Sequence, residues 1–194
     1  MSMCLTELLK EVRACTACAG LPLGPRPVLA AERSARILIV GQAPGTRVHE
    51  TGIPWNDPSG DRLRVWMGVD RETFYDSRRI AIVPMGFCYP GRGESGDLPP
   101  RPECARLWHE RILGELPDLR LRILAGSYAH AHYLAGRRKK TLTETVRASD
   151  EYGLDTIPLP HPSPRNNLWL RKNPWFEQRL VPRLQSTVKE VLAR

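Results

Sequence analysis

The sequence predicts an α/β protein, a three-layer α/β/α sandwich around a central, mainly parallel four-stranded sheet. Three observations carry that expectation. Short, mainly apolar runs recur at Ile37–Val40, Ile80–Val83, Leu121–Ala125 and 156–159, the first of them continuous in its apolar character, the pattern of strands buried in a parallel sheet. Segments with helical periodicity or helix-boundary residues stand between them, so strands and helices alternate. The first and last runs each end in a rigid Gly/Pro turn that carries polar side chains, Gly41-Gln42-Ala43-Pro44-Gly45 and His161-Pro162-Ser163-Pro164-Arg165-Asn166. In open α/β sheets, ligands bind beyond the carboxyl ends of strands, where such turns lie.

The elements follow in chain order. Residues 5–13 place apolar side chains at helical spacing and predict a short amphipathic helix, with Cys4 as one of its packing residues and Cys15-Thr16-Ala17-Cys18 after its end. Residues 19–35 read as a Pro/Gly/Arg loop. The first strand covers 36–40, and 46–58 read as a polar loop. Ser59 is the expected N-cap of a helix over about 60–68, which Gly68 stops. The second strand covers 80–83. Residues 85–103 form a long Gly/Pro-rich loop without periodicity, a length that is uncommon unless the loop is functional or tied down. A helix over about 103–115, a strand over 121–125 and a helix over about 127–135 come next. A basic run, Arg137-Arg138-Lys139-Lys140, precedes the fourth strand, and an amphipathic helix over about 174–193 closes the chain. No internal repeat or low-complexity tract interrupts this order, and 1–194 reads as a single domain.

The composition narrows the function classes. The chain has 194 residues, 41% hydrophobic and 26% charged, with a formal net charge of +8. A basic balance favours an anionic partner, and nucleic acid is the commonest one. The chain has eighteen prolines, with clusters at loop positions such as 22–27, 99–102 and 158–164, which implies shaped loops. No segment approaches the apolar length of a membrane span. The first residues lack the pattern of a secretory signal. The expected location is the cytoplasm, where the five cysteines remain reduced.

Several residues invite chemistry. Cys15 and Cys18 form a C-x-x-C step, with Cys88 and Cys104 further along. Converging, they suit a [4Fe–4S] cluster or zinc, both of which take thiolates; otherwise Cys88 and Cys104 are small buried hydrophobes. The first turn offers Gln42 between Gly41 and Ala43, a side chain that donates and accepts hydrogen bonds but takes no proton. In the second turn His161 can stabilise a developing anion, and Ser163 and Arg165 suit phosphate contact. Trp55, on a stiff loop after Pro54, is either a stacking surface for a base or a core residue. Asp57 and Asp61 are the nearest carboxylates, with His49 and Glu50 close by. The tract from Trp169 to Trp175 mixes basic and aromatic residues. It reads as a nucleic-acid edge or as a helix entry with Trp175 and Phe176 packed inward.

Together these residues resemble the uracil-DNA glycosylase superfamily, from about Cys15 to the last helix. Gly41–Gly45 matches the position of its first active-site motif, and His161–Asn166 is similar to its second. The order and spacing of Cys15, Cys18, Cys88 and Cys104 resemble the cluster ligands of its iron–sulfur class. Gly52-Ile53-Pro54-Trp55 sits where that class carries an aromatic residue that stacks on the extruded base. The resemblance implies extrusion of uracil or a related deaminated base from single- or double-stranded DNA and hydrolysis of its glycosidic bond. Gln42 and His161 would be catalytic, and Gly41, Ala43, Gly45, Trp55, Asp57, Ser163, Arg165 and Asn166 would bind substrate. The expected protein is monomeric, does not engage membranes, and carries a [4Fe–4S] cluster or, alternatively, zinc. Two departures stand out. Gln42 replaces that class's glutamate, and Ala43 replaces another class's aspartate. No asparagine to read the uracil edge occurs around Pro84-Met85-Gly86-Phe87-Cys88. A non-catalytic binder of damaged or single-stranded DNA is therefore a rival expectation. A zinc-clipped protein acting on free nucleobases or nucleotides is another.

Overall fold

The computed structural model describes residues 4–94 and 96–193. Its strands are β1 (Ile37–Val40), β2 (Ile80–Ile82), β3 (Arg92–Gly93), β4 (Gly96–Asp97), β5 (Leu121–Ala125) and β6 (Thr156–Leu159). β1, β2, β5 and β6 form one sheet in the order β2-β1-β5-β6, and every pairing in it is parallel. β3 and β4 pair only with each other, as an antiparallel hairpin. The helices are α1 (Leu5–Arg13), α2 (Thr46–Thr51), α3 (Pro58–Met67), α4 (Arg71–Tyr75), α5 (Pro102–Cys104), α6 (Glu110–Gly114), α7 (Ser127–Tyr133), α8 (Leu142–Arg147), α9 (Asn167–Lys172) and α10 (Val181–Ala193). Wider π-helical turns at Ala105–His109 and Phe176–Leu180 lead into α6 and α10.

The apolar strands are explained by two cores, one on each face of the sheet. Leu38 and Val40 pack with Leu8, Leu9 and Val12 of α1 and with Ile112 and Ala129. Ile37 and Ile39 pack with Leu63, Trp66, Phe176 and Leu184 on the opposite side. Successive strand residues face opposite ways, so a strand covered on both sides is apolar on both; the start of β5, where Arg122 is exposed, is the exception. Pro158 falls in β6, an outer strand of the sheet, where the loss of one N–H donor is tolerated.

Several local expectations need correction. The segment 46–58 is not all loop: α2 occupies its first half, too short and too polar for its periodicity to stand out. The N-cap of α3 is Asp57, not Ser59; Asp57 Oδ1 accepts from the Gly60 N–H at 2.9 Å, Pro58 takes the first helical position and Ser59 is buried. The 85–103 loop contains the β3–β4 hairpin. Cys4 is exposed at the start of α1 rather than packed. The tract 169–175 falls largely in α9. Of the two readings of this tract the helix entry holds: Trp169, Trp175 and Phe176 pack in or against the second core, Trp169 Nε1 donates to Thr143 Oγ1 at 2.8 Å, and Arg171, Lys172 and Pro174 are exposed.

Two buried histidines brace the sheet and its loops. His109 Nε2 donates to the Pro84 carbonyl at 3.0 Å while its Nδ1 accepts from the Tyr133 hydroxyl at 2.7 Å. His130 Nε2 donates to the Leu124 carbonyl at 3.0 Å. Burial pushes both imidazoles down to about 4. In the unfolded chain they take up protons below about pH 6.5. Between those values the unfolded state binds more protons, so stability is complete above about pH 6.5 and is lost as the pH falls toward 4. Thermal melts should therefore show the midpoint falling steadily from pH 7 to 4.5; an unchanged midpoint would contradict the neutral, buried state of these rings.

Candidate active site between two strand-end turns

The turns after β1 and β6 emerge at the same carboxyl edge of the parallel sheet, one on either side of β5. Between them lies a cleft of about 460 Å³. Gly41, Gln42, Ala43, Gly45, Trp55, Asp57, His161, Ser163, Arg165 and Asn166 all line it. The ten residues that the resemblance implied for catalysis and substrate binding thus all border one cleft. Pro84, Gly96 and Asp97 line it as well and were not expected.

The first turn is fixed by its backbone. The Gly41 and Gln42 carbonyls accept from the Met85 and Gly86 N–H groups, each at 2.9 Å. This ties the turn to the segment after β2. Gly41 is needed for space: a Cβ there would stand 2.5 Å from a ring carbon of Trp55. Trp55 itself holds a left-handed backbone conformation, φ 57°, which is costly for a bulky residue. Gly60 relieves the other side, since a Cβ there would stand 1.8 Å from the Trp55 carbonyl oxygen. The two readings of Trp55 merge: its ring borders the second core and also lines the cleft.

In the second turn, the His161 ring lies 5.4 Å from Trp55, centroid to centroid, at an interplanar angle of 31°. The Ser163 N–H donates to His161 Nδ1 at 3.3 Å. Burial pushes this imidazole down to about 4. The ring is then neutral at pH 7, and with Nδ1 accepting, its proton sits on Nε2. Asn166 Nδ2 donates to the His161 carbonyl at 2.6 Å and Ser163 Oγ accepts from the Arg165 N–H at 3.2 Å. These two side chains hold the turn in shape. Arg62 of α3 clamps it from outside, donating to the Ser163 carbonyl at 3.1 Å and to Asn167 Oδ1 at 2.8 Å.

The carboxylates sort clearly. Asp57 lines the cleft, but its side chain caps α3; burial raises its carboxyl above the usual range, against the Gly60 and Ser59 N–H groups. Asp61 is ion-paired with Arg64, and Glu50 is exposed on α2. His49 is buried with its Nδ1 unpartnered among the described residues. None of these last three lines the cleft.

The cysteines form one neighbourhood. Cys88 and Cys104 are buried; Cys15 and Cys18 are half-buried. Cys15, Cys18 and Cys88 all act electrostatically on Cys104. The Cys104 sulfur accepts from the Phe87 N–H at 3.4 Å. Burial pushes the Cys104 thiol up to about 12. Among the described residues, no three or more His, Cys, Asp or Glu side chains are already drawn together as a metal-holding set. No helix among them is long and apolar enough to cross a membrane.

Gly41→Ala should displace Trp55 and deform the cleft. The expected result is ligand or DNA affinity reduced about 10-fold or more, with a destabilisation of roughly 1–3 kcal/mol from overpacking. Binding titrations alongside chemical denaturation check this, and unaltered affinity would show that the indole is not held by this contact.

A family model for the uracil DNA glycosylase superfamily matches residues 29–185. The match contains the whole four-stranded sheet and both strand-end turns, together with Trp55, Cys88 and Cys104; Cys15 and Cys18 precede it. The fold, the two turns and this match agree: the chain belongs to the uracil DNA glycosylase superfamily.

Proposed function

We propose that this chain extrudes uracil or a related deaminated base from DNA and hydrolyses its N-glycosidic bond. The observation that carries the reading is the neutral His161, held by the Ser163 N–H and set beside Trp55 in the cleft. Breaking the bond leaves the electron pair on the base and a cationic sugar. His161 Nε2–H donates to the oxygen where the anion's charge gathers. A ring already neutral at pH 7 gives that hydrogen bond without losing a proton. Trp55 stacks on the extruded base, whose removal from the duplex costs a few kcal/mol. Arg165 and the net charge of +8 favour the DNA phosphates, whose own charge favours the cationic sugar. Gln42 orients the attacking water through its amide.

The same reading takes Cys15, Cys18, Cys88 and Cys104 as ligands of a structural [4Fe–4S] cluster, with zinc as the alternative. The donor set suits either, and the backbone N–H at Cys104 is a usual partner of a metal-bound sulfur. When bound, the group supplies a cross-link from the N-terminal segment to the 85–103 loop. Protein prepared without oxygen should be yellow-brown and contain about four iron atoms per chain. Colourless protein with one zinc would favour the alternative, and protein with neither would refute both.

A second reading, a DNA binder without catalysis, is favoured by the lack of an acid at positions 42 and 43. Oligonucleotides carrying uracil, xanthine or hypoxanthine, single-stranded and duplex, followed by alkaline cleavage at abasic sites, decide between them. Wild type should release at least one of these bases. His161→Ala should slow release by about 10²-fold or more, the scale of a lost oxyanion donor. Gln42→Glu should speed it, because a carboxylate both orients water and favours the cationic sugar. If wild type and Gln42→Glu are inert on every base yet bind DNA tightly, the binding reading replaces this one.

A further inference from the structure

We propose that Asp97, delivered by the β3–β4 hairpin, is the catalytic carboxylate that positions 42 and 43 lack. The proposal rests on the glycosylase reading above. Among the described residues, the cleft is lined by two carboxylates, Asp57 and Asp97. Asp57 caps α3 through Gly60, and that engagement holds its carboxylate to the helix. Asp97 has no such duty: its side chain makes no ion pair or hydrogen bond with another described residue. Its Oδ2 lies 3.5 Å from where a Cβ on Gly45 would stand, so the carboxylate reaches the end of the first turn.

The hairpin is built to hold that position. Arg92 is paired with Asp97 and Gly93 with Gly96, and the Leu98 N–H donates to the Gly91 carbonyl at 2.8 Å. Gly96 has φ +140°, and a Cβ there would stand 1.9 Å from an Arg165 guanidinium nitrogen. Two consecutive residues therefore touch the two turns: Gly96 meets the second and Asp97 the first. The hairpin thus contributes Gly96 and Asp97 to the cleft lining, with the Asp97 carboxylate on its first-turn side.

The step balances with water alone. The C1′–N bond breaks and its electron pair leaves with the base. The Asp97 carboxylate favours the cationic sugar and takes a proton from water as the water oxygen bonds to C1′. That proton then passes to solvent, and the base anion regains one, so a hydroxyl has gone to the sugar and a hydrogen to the base. Gln42 orients the water, and Asp97 accepts its proton, which an amide cannot do.

The test measures single-turnover base release by full-length protein, with DNA affinity by anisotropy and the melting temperature alongside. Asp97→Asn should slow release by about 10²-fold, the lower end for a lost general base, with affinity unchanged or slightly improved and the melting temperature held. Asp97→Glu should retain more rate than Asp97→Asn. Adding Gln42→Glu to Asp97→Asn should restore at least about 10-fold of the loss, because a carboxylate returns to the same side of the sugar. Release by Asp97→Asn within about threefold of wild type would overturn the proposal. A slow Asp97→Asn that Gln42→Glu does not rescue, or one that melts much lower, would overturn it too and leave Asp97 a hairpin residue. Wild type that releases no base overturns the glycosylase reading itself, and this inference with it.

Discussion

The cleft depends on an indole resting against a residue that has no side chain. Trp55 lies over Gly41, with its carbonyl oxygen against Gly60 and its backbone in the left-handed region. Each contact requires the others. Remove either glycine's openness and the ring moves; move the ring and His161 loses its neighbour in the wall. A bulky residue at positive φ is retained only where its surroundings over-determine it, and here the surroundings are α3, the first turn and the second core. The strain sits at the centre of the candidate site, where a fixed stacking surface would have most value.

Electrostatics divide the molecule. The surface is basic, which suits a polyanion, whereas the histidines inside are neutral. His161 achieves in the cleft what His109 and His130 achieve in the core: burial removes the charge and leaves a directed N–H. The difference lies in what accepts it. Backbone carbonyls take the donors of His109 and His130, while His161 borders open volume. The same desolvation thus gives a structural brace in two places and a poised donor in the third.

Much of this was legible in the chain. A sheet covered on both faces dictates continuous apolar strands, so the four main strands stood out, as did α1 and the C-terminal helix. The two turns were legible because glycine and proline restrict backbone shape. The short helices and the hairpin were not: α2, α4 and α9 bury too little for a period to emerge, and β3 and β4 are too brief to alternate. α8 did leave a signal, Thr141 followed by Glu144, the reciprocal cap that the structure contains. Asp97 was hidden for the same reason as its hairpin. Ser59 and Asp57 exchanged roles because a proline at position 58 makes the residue before it the natural cap. The aromatic tract at 169–175 misleads by composition, since helical packing turns its rings inward.

Pro158 has a consequence beyond its own strand. An outer strand with free backbone groups is a template onto which another chain can add. β6 is such a strand, and its proline interrupts the row of donors. At the opposite margin β2 is capped by an antiparallel bridge, in which Ala30 and Ile82 exchange hydrogen bonds of 3.0 and 2.7 Å. One border is thereby blunted and the other covered. With both borders closed in this way, the sheet offers little free backbone onto which a second copy of the chain could add a strand, even where copies are crowded.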